Sequence, residues 1–329
     1  MSVSKILLSI IVPVYNVESF VDICLQSILN STDSPTDFEL IIVNDGTLDN
    51  SMSIVKEIVS VHRNVQILEQ ENQGLSVARM NGLKMAQGEY IWFVDSDDWL
   101  ESNAIGTVLK SIGRIHPDVI VTPLNWRFPD SNNDYLDINI NCNKVYRGRE
   151  CLFDSISPAY AAQRFIVKKV LFEDNDWLFF PPNLLHEDEY FGRVLLYSAD
   201  SVYVLKNPLY NYRQRENSIM GSITIKSAYD MVRIHKLLMR FLKKNVFAID
   251  QIWFCRDILK NVLLGAYYRC LRFLGTKEFN KFLFKNRIYV AVEYLRTKPR
   301  KTNQKKLGDL AFILFPHLYS KYMGVRYSI

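Results

Sequence analysis

The stretch Tyr90–Leu100, YIWFVDSDDWL, decides how the rest of the chain is read. Its first half, Tyr90 to Val94, is a continuous apolar run of the kind that fills a strand covered on both faces. Three aspartates follow within four positions: Asp95, Asp97 and Asp98. Carboxylates this close repel one another, and burying them unpaired is costly. The cluster is therefore either a set of loop residues capping a helix that starts near Glu101, or half of a site whose other half is a cation. A bare D-x-D is a common pattern, so its surroundings have to decide.

Upstream, apolar runs alternate with helical periodicity. LLSIIVPV, FELIIV and VQIL read as three earlier strands, and DVIVTP as one that follows. Between them, Phe20, Cys24 and Ile28 mark one helix face, and Met52, Val55 and Val59 another behind Asp49, the expected N-cap. A third helix is expected from about Leu75 to Gln87, with Gly88 as its stop and Ala78, Gly82 and Ala86 as a small-residue stripe for close packing on the sheet. Strands alternating with helices of this length give βαβ units and a mainly parallel sheet, in which ligands bind beyond the C-terminal strand ends. The loops at those ends are PVYNVES, NDGTLDN, EQENQGLS and DSDDW, all polar and all acidic. There, a D-x-D reads better as a site for Mg²⁺ or Mn²⁺, which take carboxylate and phosphate oxygens.

Bulk properties set limits on function. The 329 residues are 48% apolar and 23% charged, ordinary values for a globular protein. Five cysteines, none in a C-x-x-C pair, read as reduced thiols and point to the cytoplasm. ILLSIIVPV is read as a first strand rather than a signal peptide, and no apolar run approaches the roughly 20 residues of a membrane span. Charge is unevenly placed. Residues 1–200 hold 15 Lys and Arg against 28 Asp and Glu, net −13, while residues 201–329 hold 25 against 7, net +18. The C-terminal part is thus expected to face something anionic.

Further residues at the strand ends suggest chemistry. Asp45 is either a turn residue or an acceptor for a base ring N–H. Arg79, one turn into the helix after NQGLS, either pairs with the nearby carboxylates or phosphate of a site, or makes a structural salt bridge. HEDEYF, residues 186–191, is either a solvated acidic helix start or a catalytic carboxylate pair, and it is not an H-E-x-x-H zinc motif. Arg213 and Arg215 in YNYRQREN, two positions apart, are either surface residues or a clamp for a diphosphate.

Taken in order, SIIVPVYN, FELIIVNDGTLDNS, ENQGLSVAR, GEYIWFVDSDDWL, HEDEYF and PLYNYRQRENSIM resemble the inverting family 2 glycosyltransferases of bacterial surface-polysaccharide synthesis, over roughly residues 6–220. The resemblance implies an α/β GT-A fold, a Rossmann-like sheet flanked by helices, with a helical C-terminal extension. It implies a nucleotide-sugar donor, usually UDP-linked, and a Mn²⁺ or Mg²⁺ cofactor. By position it makes Pro13, Tyr15, Asp45, Gly74, Arg79, Asp95, Arg213 and Arg215 donor-binding, Asp97 the metal ligand, and Asp188 the base with Glu187 beside it. Asn44, Leu48 and Met80 depart from the family pattern without touching these positions. Two rival readings are a silent glycosyltransferase-like scaffold and a sugar nucleotidyltransferase. The second needs a glycine-rich first loop, which PVYNVES lacks.

The expected division is a catalytic domain over residues 1–221 and a helical basic region over 222–329. RTKPRKTNQKK, residues 296–306, carries six basic residues and no acid. With the aromatic segment behind it, it suits an anionic membrane surface, placing the enzyme peripherally at the inner face of the cell membrane. Packing on the catalytic domain or on a second copy is the alternative. No nucleic-acid module is visible. The expected acceptor is a growing glycan, including a lipid-linked one.

Overall fold

The computed structural model describes residues 6–32, 34, 36–129, 135–136, 142–153, 160–214, 224–245, 258–264, 277–296, 310 and 313–314. The chain divides into two compact units. The first is Met1–Asn183 with Glu187–Glu216, and the second is Leu184–His186 with Asn217–Ile329.

The first unit opens with three strand–helix repeats. They are β1 (Leu8–Val14), α1 (Val21–Leu29), β2 (Phe38–Asp45), α2 (Ser51–Val59), β3 (Val65–Gln70) and α3 (Leu75–Met85), leading to β4 (Tyr90–Phe93). After β4 come β5 (Trp99–Leu100), α4 (Ala104–Ile115), β6 (Val119–Val121), β7 (Leu124–Arg127), β8 (Tyr135–Leu136), β9 (Lys144–Tyr146) and α5 (Gly148–Phe153). The unit ends with β10 (Phe165–Lys168), α6 (Val170–Glu173), α7 (Asp188–Ser198), β11 (Val202–Val204) and β12 (Tyr210–Arg213). Eight strands form one sheet in the order β3-β2-β1-β4-β10-β6-β11-β9. β1 to β4, β6 and β11 run the same way, while β10 and β9 run against their neighbours. The expected mainly parallel GT-A sheet is thus present. β10, from RFIVKK, enters between β4 and β6 as a reversed strand that no local pattern announced.

The sheet is positioned by close packing and satisfied polar groups. A Cβ on Gly82 would sit 2.5 Å from Ile11 Cγ2 and 3.1 Å from Val43 Cγ2, so the small-residue stripe does let α3 lie against β1 and β2. Trp92 is fully buried in β4 and donates its indole N–H to the Gln163 carbonyl at 2.7 Å. Buried Glu39 accepts from Ser9 Oγ at 2.6 Å and from Gln87 N at 2.6 Å, as a buried carboxylate requires.

Three local expectations change. α2 begins at Ser51 with Asn50 as its N-cap. Asp49, one residue earlier, still accepts from the first helical N–H, Ser51 N, at 3.1 Å, and also from Thr47 Oγ1, Ser51 Oγ and Glu18 N, tying two strand-end loops together. α3 ends at Met85, and Gly88 is needed for close approach, since a Cβ there would meet Ser9 N at 2.5 Å. The acidic stretch leads into the two-residue strand β5, and α4 starts at Ala104 rather than near Glu101, so the aspartates cap no helix. β5 joins β12, β7 and β8 in a second, four-stranded sheet.

In the second unit, α8 (Ile225–Asn245), a seven-residue π-helical segment (Ile258–Leu264) and α9 (Lys277–Arg296) are described. Val232, Leu263, Phe282, Val290 and Tyr294 belong to its apolar core. Among the described residues no helix is long and apolar enough to cross a membrane. The expected boundary near residue 221 and nearly all of the segment 296–329 lie outside the described residues.

Candidate active site

The strand order reverses between β1 and β4: the chain steps outward from β1 to β3, then returns to the other side of β1. The crevice outside these two C-terminal ends is where an α/β sheet leaves room for a ligand. Asp95 follows β4 at this point and Tyr15 follows β1, whereas Pro13 lies inside β1, paired with Val43 of β2, and not in the loop beyond it. Pro13 is buried and Tyr15 is exposed.

The carboxylates of Asp95, Asp97 and Asp98 offer oxygens that all lie within 4.8 Å of one another. Their environments differ. Asp98 is buried and held from β12: the Tyr210 hydroxyl donates to Oδ2 at 2.7 Å and the Arg213 backbone N–H to Oδ1 at 2.7 Å. Burial first, then the charges of Asp97 and Asp95, push its carboxyl well above the usual range. The same Tyr210 oxygen accepts from Asp95 N at 3.1 Å. Asp95 is half-buried; Arg79 Nη2 reaches its Oδ1 at 2.7 Å, and the Gln163 side-chain amide donates to Oδ2. Asp97 is also half-buried, and its backbone carbonyl accepts from Arg213 Nε at 2.8 Å. The Arg213 guanidinium lies between the rings of Trp99, at 4.5 Å, and Phe20, at 5.1 Å. Arg215 lies outside the described residues.

Three carboxylates whose oxygens lie this close form an oxygen donor set that fits a hard divalent cation such as Mg²⁺ or Mn²⁺. Burial first, then the Asp98, Asp97 and Asp95 charges, push the buried Cys24 thiol well up, against the opposing Arg213 charge.

The second carboxylate pair is at the start of α7. Glu187 is its N-cap residue and Asp188 its first residue. Glu187 is 8% exposed, so HEDEYF is a helix start but not a solvated one. Its carboxylate meets Arg79 Nη1 at 2.7 Å. The Glu189 backbone N–H donates to Asp188 Oδ1 at 2.9 Å, a contact that the positive end of a helix favours. Burial, then the charges of Glu187 and Glu189, nevertheless hold the Asp188 carboxyl well above its ordinary value, and burial also raises that of Glu187. Phe191 of α7 stacks on Phe180 at 4.1 Å, and Phe180 meets Phe93 of β4 edge-on at 5.0 Å, so packing fixes α7 against the strand that carries the aspartates.

Arg79 is 1% exposed and joins the two carboxylate sets, with its guanidinium 5.0 Å over the Phe180 ring. Both terminal nitrogens are engaged by carboxylates, so Arg79 forms a buried double salt bridge. Asp45 is 3% exposed and accepts from Gln70 Nε2 at 2.7 Å, Gln73 N at 2.8 Å and Gly74 N at 2.9 Å. It staples the end of β2 to the turn entering α3, where Gly74 has φ +85°. Gln163 and Tyr210 had no role in the sequence reading. Tyr210 sits within the quoted PLYNYRQRENSIM motif, whereas nothing near Gln163 signals a partnership with Asp95.

The mixed sheet with carboxylates at its switch point fits the GT-A class. Solved structures agree: S. aureus TarS superposes with a TM-score of 0.70 at 19% identity, covering 96% of this chain and 53% of TarS. The mannosyltransferase PcManGT of Pyrobaculum calidifontis, solved with GDP-Man and Mn²⁺, gives 0.53 at 14% identity, covering 97% of this chain and 88% of that one. The Glycosyl transferase family 2 profile matches residues 9–176, and the chain belongs to that family. EpsH of Bacillus subtilis, a putative glycosyltransferase, is 30% identical over 244 residues, 72% of this chain and 69% of its own length. EpsJ of the same organism, an uncharacterized glycosyltransferase, is 32% identical over 68% of this chain. The glycosyltransferase GlyA of Streptococcus pneumoniae is 33% identical, also over 68%. The match spans 65% of EpsJ and 33% of GlyA.

Proposed function

We propose that this chain is a metal-dependent inverting glycosyltransferase that moves a sugar from a UDP-sugar to a hydroxyl of a growing glycan. The observation that supports the reading is the buried Arg79 bridge, whose guanidinium contacts both Asp95 and Glu187, neighbours of Asp97 and Asp188 in the chain. TarS has been solved with UDP-GlcNAc, which supports a UDP-linked donor.

The residues divide the work. Asp97, with Asp95 beside it, would hold Mn²⁺ or Mg²⁺, which when bound supplies Lewis acidity to the leaving diphosphate. Pro13, Tyr15, Asp45 and Gly74 line or brace the nucleoside side, and Arg213 with Arg215 orients the diphosphate. Asp188 takes the proton of the attacking hydroxyl, since a carboxyl raised toward the working pH is a better base than an ordinary aspartate. Arg79 and Glu187 fix Asp188 relative to Asp95. Direct attack by the acceptor inverts the anomeric centre.

The setting is cell-surface polysaccharide synthesis, with a glycan or lipid-linked glycan acceptor. Residues 1–221 form the catalytic domain and residues 222–329 a basic helical region that brings the enzyme to the cytoplasmic face of an anionic membrane. A curated relative, a poly(ribitol-phosphate) beta-glucosyltransferase of Bacillus spizizenii, is 39% identical over 30% of this chain.

The test is UDP release across a panel of UDP-sugars, with and without Mn²⁺. Asp97→Ala and Asp188→Asn should each lose turnover while keeping native circular dichroism. Unchanged turnover in either variant overturns the role given to that residue. Absence of release with every donor supports the silent scaffold instead, and release of pyrophosphate from a nucleoside triphosphate supports the nucleotidyltransferase.

A further inference from the structure

α9 has two apolar faces. One packs into the core of the second unit through Phe279, Phe282, Leu283 and Val290, all buried. The other carries Phe284, Ile288, Val292 and Leu295, which are 68%, 67%, 46% and 58% exposed. At 100° per residue these four fall within an arc of about 80°, opposite the buried face. Isolated exposed apolar residues are unremarkable, but four aligned over three turns form a surface that water does not favour.

The charges around this stripe are nearly all of one sign. Lys277, Lys281 and Lys285 are exposed at its N-terminal end, and the Arg287 guanidinium lies 4.0 Å over the Phe284 ring. Glu278 is the one exposed acid on the helix, since Glu293 is buried. The sequence running on from Leu295 adds six basic residues through Lys306 and no acid. An apolar stripe with a cationic rim complements a bilayer interface, where side chains enter the acyl boundary and lysines meet anionic headgroups.

We propose that the Phe284–Leu295 face of α9 lies on an anionic lipid surface and anchors the chain there. This deepens the membrane part of the reading above by naming the contact face, and it does not depend on the transfer reaction. The basic segment after Leu295 adds attraction, while the stripe supplies insertion.

The test uses the full chain and vesicles of equimolar phosphatidylcholine and phosphatidylglycerol, with phosphatidylcholine vesicles as the neutral comparison. The wild type should sediment with the anionic vesicles and much less with the neutral ones, and added salt should weaken binding. Phe284→Glu/Ile288→Glu should reduce partitioning about tenfold or more, because it replaces inserted apolar surface with charge. Lys281→Glu/Lys285→Glu should lose roughly fivefold or more per lysine and with it the preference for anionic lipid. Both variants should melt and release UDP like the wild type, which separates this proposal from the catalytic one. Wild-type protein that ignores anionic vesicles, or a Phe284→Glu/Ile288→Glu variant that binds them equally well, overturns the proposal. So does a wild-type dimer in analytical ultracentrifugation that this variant dissociates with vesicle binding unchanged, since the face then belongs to a second copy.

Discussion

Arg79 and Glu187 meet at 2.7 Å although 108 positions separate them. The same guanidinium meets Asp95 at 2.7 Å, so one buried cation binds the start of α7 to the end of β4. Asp95 and Glu187 outweigh the effect of burial and hold the Arg79 pKa above its ordinary value. Burial alone, the largest influence, would lower it. The pairing is what makes the buried charge tolerable, and its geometry sets the spacing of the two carboxylate sets.

Replacing Arg79 with Met should therefore destabilise the first unit by about 3–5 kcal/mol, because two carboxylates lose their common counter-charge. Arg79→Lys should lose less stability, since one ammonium keeps the charge but lacks the planar fork that serves two acceptors. Urea denaturation of both variants, read beside UDP release, checks the order. Equal stability of wild type and Arg79→Met would show that the bridge holds nothing together.

The acid limb of activity should follow Asp188. A base must be ionised to take a proton, so turnover falls as pH drops through its pKa. Burial first, then Glu187 and Glu189, place that pKa above the ordinary aspartate value, so the limb should lie at higher pH than for an exposed aspartate. The Arg79 charge opposes the shift, so Arg79→Gln should move the limb further up. A pH profile of kcat/KM, taken where each variant remains folded, measures both. A limb that stays in place on losing Arg79 would separate the two residues electrostatically.

One hydroxyl orders the acidic loop: Tyr210 donates to Asp98 and accepts from the Asp95 backbone. Tyr210→Phe should cost about 1–3 kcal/mol, leaving buried Asp98 and the half-buried Asp95 N–H each short of a hydrogen bond. Asp97→Ala should remain folded and remove turnover. Thermal melts and UDP release on this pair separate the brace from the ligand. If the losses are reversed, the assignments of Asp97 and Asp98 are reversed too.

β1, β2 and β4 were legible because a parallel strand covered on both faces reads as an apolar run, and Leu8–Val14 and Tyr90–Phe93 are buried throughout. The aspartates were legible because they break one. Arg79 was visible as a candidate, but its choice of Asp95 and Glu187 rests on chain folding across more than a hundred residues, which no local spacing encodes. Gln163 was not visible at all, since its partnership with Asp95 arises from β10 entering the sheet in reverse. Gly88 was visible for the wrong reason: its lack of a Cβ serves contact with β1 rather than helix termination.

That last distinction can be measured. A helix-stopping glycine in the left-handed region tolerates asparagine, whereas a close-approach glycine tolerates no side chain. The added Cβ of Gly88→Ala would meet Ser9 N at 2.5 Å, Ser9 Oγ at 2.6 Å and Leu8 C at 2.7 Å. The strand would have to shift, at about 1–3 kcal/mol or more. Gly88→Ala and Gly88→Asn should both lower the denaturation midpoint, and a neutral Gly88→Asn would restore the helix-stop reading.

In the second unit, stability should fall with acidity because of His235. The ring is 1% exposed and shares a 2.9 Å hydrogen bond between Nδ1 and the Tyr289 hydroxyl. Burial, helped by the Lys236 charge, lowers its pKa to about 4 from an ordinary 6.5. Between these values the unfolded chain binds a proton that the folded chain refuses, so stability rises with pH across the window. The contribution is fully present above about pH 6.5 and is lost as pH falls toward about 4, at most about 3 kcal/mol in all. Urea melts at a series of pH values in this range should slope accordingly for the wild type. His235→Gln, which keeps a hydrogen-bonding group but cannot titrate, should flatten the slope. An equally steep slope in that variant would move the acid sensitivity to another group.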